Sequence, residues 1–233
     1  MHPSHGHYQD TLSNRLHGYF QKKGEQVTIR SIGRLDRDTS GILAFAKNQV
    51  AAARLWKQKE EGIFWKEYLA VCERRADSPL FQTIRILNSR KAEFPEKQSE
   101  HWQTIDAPIG KMDGSLMKMC VREDGLRAVT HYQVIRQNEK YVWLRVRIDT
   151  GRTHQIRVHM AWSGHPLAGD VLYNSRERSS EPQDLPLQLC AWKAELQQPF
   201  TQEVIKLTAP YWAEDMLPNW ILTEGNESSN MAK

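Results

Sequence analysis

Residues 126–136 read LRAVTHYQVIR, residues 141–149 read YVWLRVRID, and residues 150–159 read TGRTHQIRVH. In the first two runs, β-branched and aromatic residues are interleaved with polar ones, which is the signature of consecutive strands. Gln137, Asn138 and Glu139 between them predict a hairpin. Over 153–163, Ile156, His159, Met160 and Ser163 recur at helical spacing, and Gly164 is placed to stop the helix. Two hairpin-linked strands followed by a helix point to an α+β fold, not to alternating β-α-β units.

The flanking sequence fits the same class. Asp10 and Thr11 predict a helix cap, Leu12, Leu16, Tyr19 and Phe20 an apolar stripe to about Lys23, and Gly24 a stop. Strands are expected over 27–32, 42–46, 64–73, 187–197 and 204–208, with a helix capped by Asn48 running to about Glu61. Residues 88–101 and 175–186 are polar and aperiodic, and read as loops. Strands thus outnumber helices. The expected architecture is a mixed, largely antiparallel sheet flanked by helices, with one catalytic domain over 1–223 and a disordered tail over 224–233.

Composition bounds what this fold can do. The chain has 233 residues, 39% of them hydrophobic and 26% charged, which is enough apolar material for a core and argues against wholesale disorder. Its longest apolar runs, at 42–46 and 141–144, fall far short of the ~20 residues a membrane helix needs. The N-terminal MHPSHGHY lacks the basic start and apolar stretch of a signal peptide. Cys72, Cys120 and Cys190 form no CxxC pair, so neither a disulfide framework nor a thiolate metal site is expected. These features predict a cytoplasmic protein with no membrane and no metal. A net charge of +4 (32 Lys+Arg against 28 Asp+Glu) permits nucleic-acid binding without requiring it. The clustering is sharper: Arg145, Arg147, Arg152 and Arg157 stand with His154 and His159, and Lys22, Lys23, Arg30, Arg34 and Arg37 form a second group.

Two stretches carry chemistry. Residues 33–41, GRLDRDTSG, lie between two expected strands and are bounded by glycines, so a tight loop presents their polar side chains. Asp36 is flanked by Arg34 and Arg37, and neighbouring guanidinium groups favour the ionised form that a nucleophile needs. The competing reading is a polar turn in which Asp38 and Thr39 make local hydrogen bonds. Residues 150–159 place polar and basic side chains at a helix start, which suits an anion-binding or catalytic edge; the plainer alternative is a solvated basic helix start.

Together these stretches resemble the RluA-type family of RNA pseudouridine synthases. The catalytic-aspartate loop of that family matches residues 33–41. A K-x-Y-x-A strand matches Lys66 to Ala70, and P-I-G matches Pro108 to Gly110. A K/R-x-A-x-T strand matches Arg127, Ala128 and Thr130, T-G-R-x-H-Q-I-R-x-H matches 150–159, and G-H-P-L-x-G-D-x-x-Y matches 164–173. The six run in family order and extend, with His2-Pro3-Ser4, from residue 2 to about residue 210. The sequence departs from the pattern at Gly33, which replaces a more usual His, and at Cys190 and Gln198.

The resemblance implies a cofactor-free isomerase of RNA. Uridine's bond from ribose C1′ to N1 breaks, the base turns, and C5 joins the ribose. Asp36 is implied as the catalytic carboxylate, Arg157 as its basic partner, and Tyr68 as the aromatic that stacks on uracil and helps remove the C5 proton. The target base must leave its stack. Arg34, Arg37, Arg152, His154 and Gln155 are expected to contact the RNA, ribosomal or transfer, and a monomer is expected. The family's usual Lys-Pro-x-Gly segment before His-Pro-Ser is not seen ahead of His2, so a shortened start is expected, with lower stability and activity than an extended chain.

Three other classes fit the sequence less well. An RNA-binding protein of the same fold with reduced or lost catalysis need not retain Asp36, Tyr68 and Arg157 together. A metal protein using His2, His5 and His7 has no second ligand cluster. A glycosidase pairing Asp36 with Asp38 places its carboxylates too close to flank a sugar.

Overall fold

The computed structural model describes residues 11–74, 102–137, 140–174 and 185–209. These group into two compact units, one built from 11–35, 41–66 and 193–208, the other from 36–40, 67–74, 102–192 and 209 within the described ranges. The expected tail, the loop at 88–101 and most of the loop at 175–186 lie outside the described residues, as do His2, His5 and His7. No described helix is long and apolar enough to cross a membrane.

In the first unit, α1 (Leu12–Lys22) starts where the Thr11 hydroxyl accepts the Asn14 amide, and the chain leaves it through Gly24 at φ +73°. Strand β1 (Arg30–Ile32) pairs antiparallel with β3 (Ala44–Ala46). Helix α2 (Gln49–Glu60) is capped by Asn48, whose side-chain oxygen accepts the Ala51 amide at 2.8 Å. Residues 193–197 pair with β11 (Val204–Thr208). Ile32, Ala46, Ala52, Leu55, Phe64, Ala194 and Leu196 form one apolar core here. The strand expected over 27–32 begins only at Arg30, because its partner β3 is three residues long.

The second unit is a sheet. In chain order, the remaining elements are β2 (Ser40–Gly41), β4 (Trp65–Glu73), β5 (Gln103–Asp106), β6 (Ile109–Lys111), β7 (Met119–Val121), β8 (Val129–Gln137), β9 (Tyr141–Ile148), α3 (Gln155–Trp162) and β10 (Leu189–Gln197). Within this unit the strand order is β10-β4-β9-β8-β5, and β6 pairs separately with β7. The pairs β4–β9, β9–β8, β8–β5 and β6–β7 are all antiparallel. The fold is α+β, as expected. The β8–β9 pairing fulfils the hairpin reading, with a register shift between Val134 and Arg136. Strands β5, β6 and β7 were not foreseen, since three or four residues show no period.

Alternation along β4 sets up everything that follows. Tyr68, opposite Val146, and Glu67, opposite Arg147, point to opposite faces of the sheet. Glu67 is completely buried and accepts Nε of Arg145 and Nε of Arg147, both at 2.9 Å. The Trp102 ring lies within 5.8 Å of both guanidinium groups.

Candidate active site

Asp36 sits on a tight turn, its carbonyl accepting the Thr39 amide at 3.1 Å, with Arg37 and Asp38 exposed at the tip. Ser40 anchors the end of the turn by donating its hydroxyl to the Leu189 carbonyl at 3.2 Å. Asp36 is half-buried in the second unit, and its charge reaches three groups there: Tyr68, Arg157 and Tyr173. Burial first, then the Asp36 charge, pushes the Tyr68 phenol up to about 12. The Tyr68 hydroxyl therefore stays protonated across the neutral range.

Arg157 departs from its expected pairing. It is 2% exposed on α3, and its Nε and Nη2 donate to the two Asp170 oxygens at 2.8 and 2.7 Å. The ion-pair partner of Arg157 is thus Asp170, not Asp36. The physical reason is burial: Asp170 is also 2% exposed, and a carboxylate removed from water must be neutralised, whereas Asp36 lies on a half-exposed turn. Asp170 also accepts the amides of Leu172 and Tyr173 at 3.0 and 3.1 Å, so the same carboxylate shapes the turn that carries Tyr173. The Arg157 guanidinium lies 5.2 Å from the Tyr173 ring centroid, held on two sides. Although burial opposes it, pairing with Asp170 and then the charge of Asp36 raises the Arg157 pKa, so the cation persists.

The Tyr173 hydroxyl accepts the Met119 amide at 2.9 Å and lies 2.7 Å from His154 Nδ1. His154 adopts φ +56°, a left-handed conformation unusual for a residue with a side chain, immediately before α3 begins. That geometry explains why α3 starts at Gln155 and not at the expected Thr153. It also turns the imidazole toward Tyr173.

Gln155, expected at the RNA, is 2% exposed and committed within the protein. Its amide nitrogen donates to the Val129 carbonyl at 2.8 Å and to Thr130 Oγ1 at 3.0 Å, and its oxygen accepts the Thr150 hydroxyl at 2.8 Å and the Arg152 amide at 3.1 Å. Thr130 in turn meets His159 Nδ1 at 2.8 Å, and His159 Nε2 donates to the Ala107 carbonyl at 2.9 Å. This buried network pins α3 to β8 and so fixes where Arg157 points. Burial holds the His159 pKa down. Arg34, Arg37 and Arg152 are exposed; Arg152 Nε donates to the Arg127 carbonyl at 2.9 Å.

The second unit therefore brings Asp36, Tyr68 and Arg157 into electrostatic contact and adds two residues that sequence reasoning assigned no role. Asp170 and Tyr173 stand in the motif at 164–173; an acidic and an aromatic residue at fixed spacing after a buried arginine was the available signal. Among the described residues, no group of three His, Cys, Asp or Glu side chains is placed to hold a metal.

Comparison with known proteins bears on the family. A family model described as RNA pseudouridylate synthase matches residues 2–162. The chain is 33% identical over 208 residues to an uncharacterized RNA pseudouridine synthase, YjbO, of Bacillus subtilis, covering 89% of this chain and 64% of that protein. It is 32% identical over 215 residues to the ribosomal large subunit pseudouridine synthase D of Nitrosomonas europaea, covering 90% and 56%. The chain thus spans somewhat under two thirds of the length of these relatives. Among solved structures, human RNA pseudouridylate synthase domain containing 1 superposes with a TM-score of 0.61 at 24% identity, covering 86% of this chain and 74% of that one, a likeness of fold.

Proposed function

The chain belongs to the RNA pseudouridylate synthase family, and from that premise we propose that it isomerises specific uridines of structured ribosomal or transfer RNA to pseudouridine, with Asp36 as the catalytic carboxylate. The observation that carries this reading is that one carboxylate, on a turn, imposes its charge on a buried phenol and a buried guanidinium.

The reaction needs no oxidant and no leaving group that departs. The C1′–N1 bond breaks, the uracil turns within the site, C1′ bonds to C5, the C5 proton is lost and N1 gains one. Attack of Asp36 on C1′, its addition to C6 and removal of the 2′ proton all use the same carboxylate. Arg157, locked by Asp170 and Tyr173, supplies a fixed positive charge facing the chemistry without having to reorganise during it. Tyr68 offers a ring for the flipped uracil and a protonated hydroxyl. To accept the C5 proton, that hydroxyl must first give up its own, which disfavours it as base until late in the reaction. Arg34, Arg37 and Arg152 are exposed and suited to phosphates, and His154 reaches the site through its contact with Tyr173. Gln155 acts through α3 as a positioning residue. On this reading the chain works without cofactor or metal as a monomer in the cytoplasm, with 1–223 as its catalytic domain.

Incubating the chain with uridine-containing ribosomal and transfer RNA, and probing the products with carbodiimide, tests the reading directly. Carbodiimide adducts that survive mild alkali at discrete positions, the mark of pseudouridine, support it. RNA bound but never modified contradicts it.

A further inference from the structure

Lys59 and Lys66 take no part in the site above, and both lie in the first unit. Lys66 Nζ donates to the Ile42 carbonyl at 2.9 Å and stands 5.9 Å from the Phe64 ring centroid. Lys59 Nζ stands 5.0 Å from the Trp56 ring centroid, and it would lie 3.2 Å from a Cβ placed on Gly33. Among the described residues, neither amine is paired with a carboxylate. Gly33 has φ +80°, so a side chain there meets both a strained backbone and the lysine amine. Glycine keeps the ground over that amine open.

Two ammonium groups close enough to repel one another are a costly arrangement for a fold to keep. Burial and the charge of Lys59 pull the Lys66 amine down to about 8, and burial lowers Lys59 as well. An anion between them would relieve the repulsion and occupy donors that the protein leaves unused: an ammonium has three N–H groups, and Lys66 spends one on Ile42. Gly33 is also three residues along the chain from Asp36.

We infer that Lys59, Lys66 and the bare backbone at Gly33 form a binding site for one backbone phosphate of the substrate RNA. Aromatic rings beneath both amines hold the cations in place while leaving their outer donors free. The inference rests on the reading that this chain acts on RNA.

The test measures RNA affinity of the full chain against salt concentration for the parent, Lys59→Gln, Lys66→Met and, as a control, Lys57→Gln. Lys57 is on the same helix and faces Glu61 at 3.6 Å. Lys59→Gln should flatten the plot of log affinity against log salt by about 0.7–0.9, the loss of one phosphate contact. Lys57→Gln should leave the slope alone. In nitrogen-15 spectra, the titration of the Lys66 amine should move upward when RNA is added. An unchanged slope in Lys59→Gln overturns the site. An equal upward shift with inorganic phosphate alone overturns the assignment to RNA backbone. Should Lys66→Met fail to fold, Lys59→Gln decides, because Lys59 is an exposed helix residue. Failure of the parent to form pseudouridine, with the salt slopes as described, would refute the enzymatic reading and leave this site standing.

Discussion

Arg157 and Asp170 meet through two parallel hydrogen bonds of 2.8 and 2.7 Å, with each residue only 2% exposed. The carboxylate that holds Arg157 is therefore not the one proposed to carry the chemistry. On that proposal two tasks are separated: Asp170 fixes the cation, and Asp36 acts on the substrate. Asp170→Asn leaves the guanidinium buried and uncompensated, a loss of about 3–5 kcal/mol for a broken buried pair. It should lower the urea midpoint accordingly and reduce turnover sharply. Parent-like stability would mean that the pair contributes little to the fold.

Tyr68→Phe keeps the ring and removes the hydroxyl. RNA affinity should survive while product formation collapses. Because the phenol is held up to about 12, the parent's rate should show no Tyr68 ionisation across the neutral range. A variant rate within a few-fold of the parent would reduce Tyr68 to a packing and stacking residue.

Gln155 and Arg152 are close in sequence but should fail differently. Gln155→Leu strands the partners of a saturated buried amide, which costs about 1–3 kcal/mol for the groups left unsatisfied, and should leave the salt dependence of RNA binding intact. Arg152→Ala should barely alter melting and should flatten that salt dependence. Indistinguishable salt slopes for the two variants would contradict the assignment of Gln155 to the interior.

The difference between these two residues marks how far the sequence could be read. Residues 150–159 identified the helix and its polar start, but which side chains turn inward depends on His154 adopting φ +56°, and no periodicity encodes that. Likewise the motif singled out Arg157, which lies within reach of the Asp36 charge, but not its ion-pair partner, since Asp170 arrives from a turn thirteen residues later. The antiparallel hairpin of β8 and β9 was legible because both runs are long and rich in strand formers. Strands β5 to β7 were not, because their conformation is set by neighbours: Ile109, for instance, exchanges both backbone hydrogen bonds with Leu126 at 2.9 Å.

Stability should follow pH in a pattern set by buried groups. The folded Lys66 amine titrates at about 8 against an ordinary 10.5, so the unfolded chain binds more protons between these values and stability gains as pH rises through that window. Tyr68 and Tyr132 behave oppositely: raised from 10.0 to about 12, they contribute fully below pH 10 and lose that contribution as pH climbs toward 12. His159, lowered from 6.5 by burial, costs stability as pH falls below that value. Melting temperature should therefore peak in mildly alkaline buffer, and Lys66→Met should remove the rise above pH 8. A Lys66→Met curve parallel to the parent's would show that Lys66 is not the group responsible.

The central claim is that Asp36 carries the chemistry, and one comparison tests it most directly. Pseudouridine formed per RNA molecule is measured for the parent and for Asp36→Asn, a change of one oxygen to an amide nitrogen that leaves the turn's backbone bond to Thr39 in place. The account predicts product from the parent, none from the variant, and equal RNA affinity and melting temperature for the two. Measurable turnover by purified Asp36→Asn would contradict it.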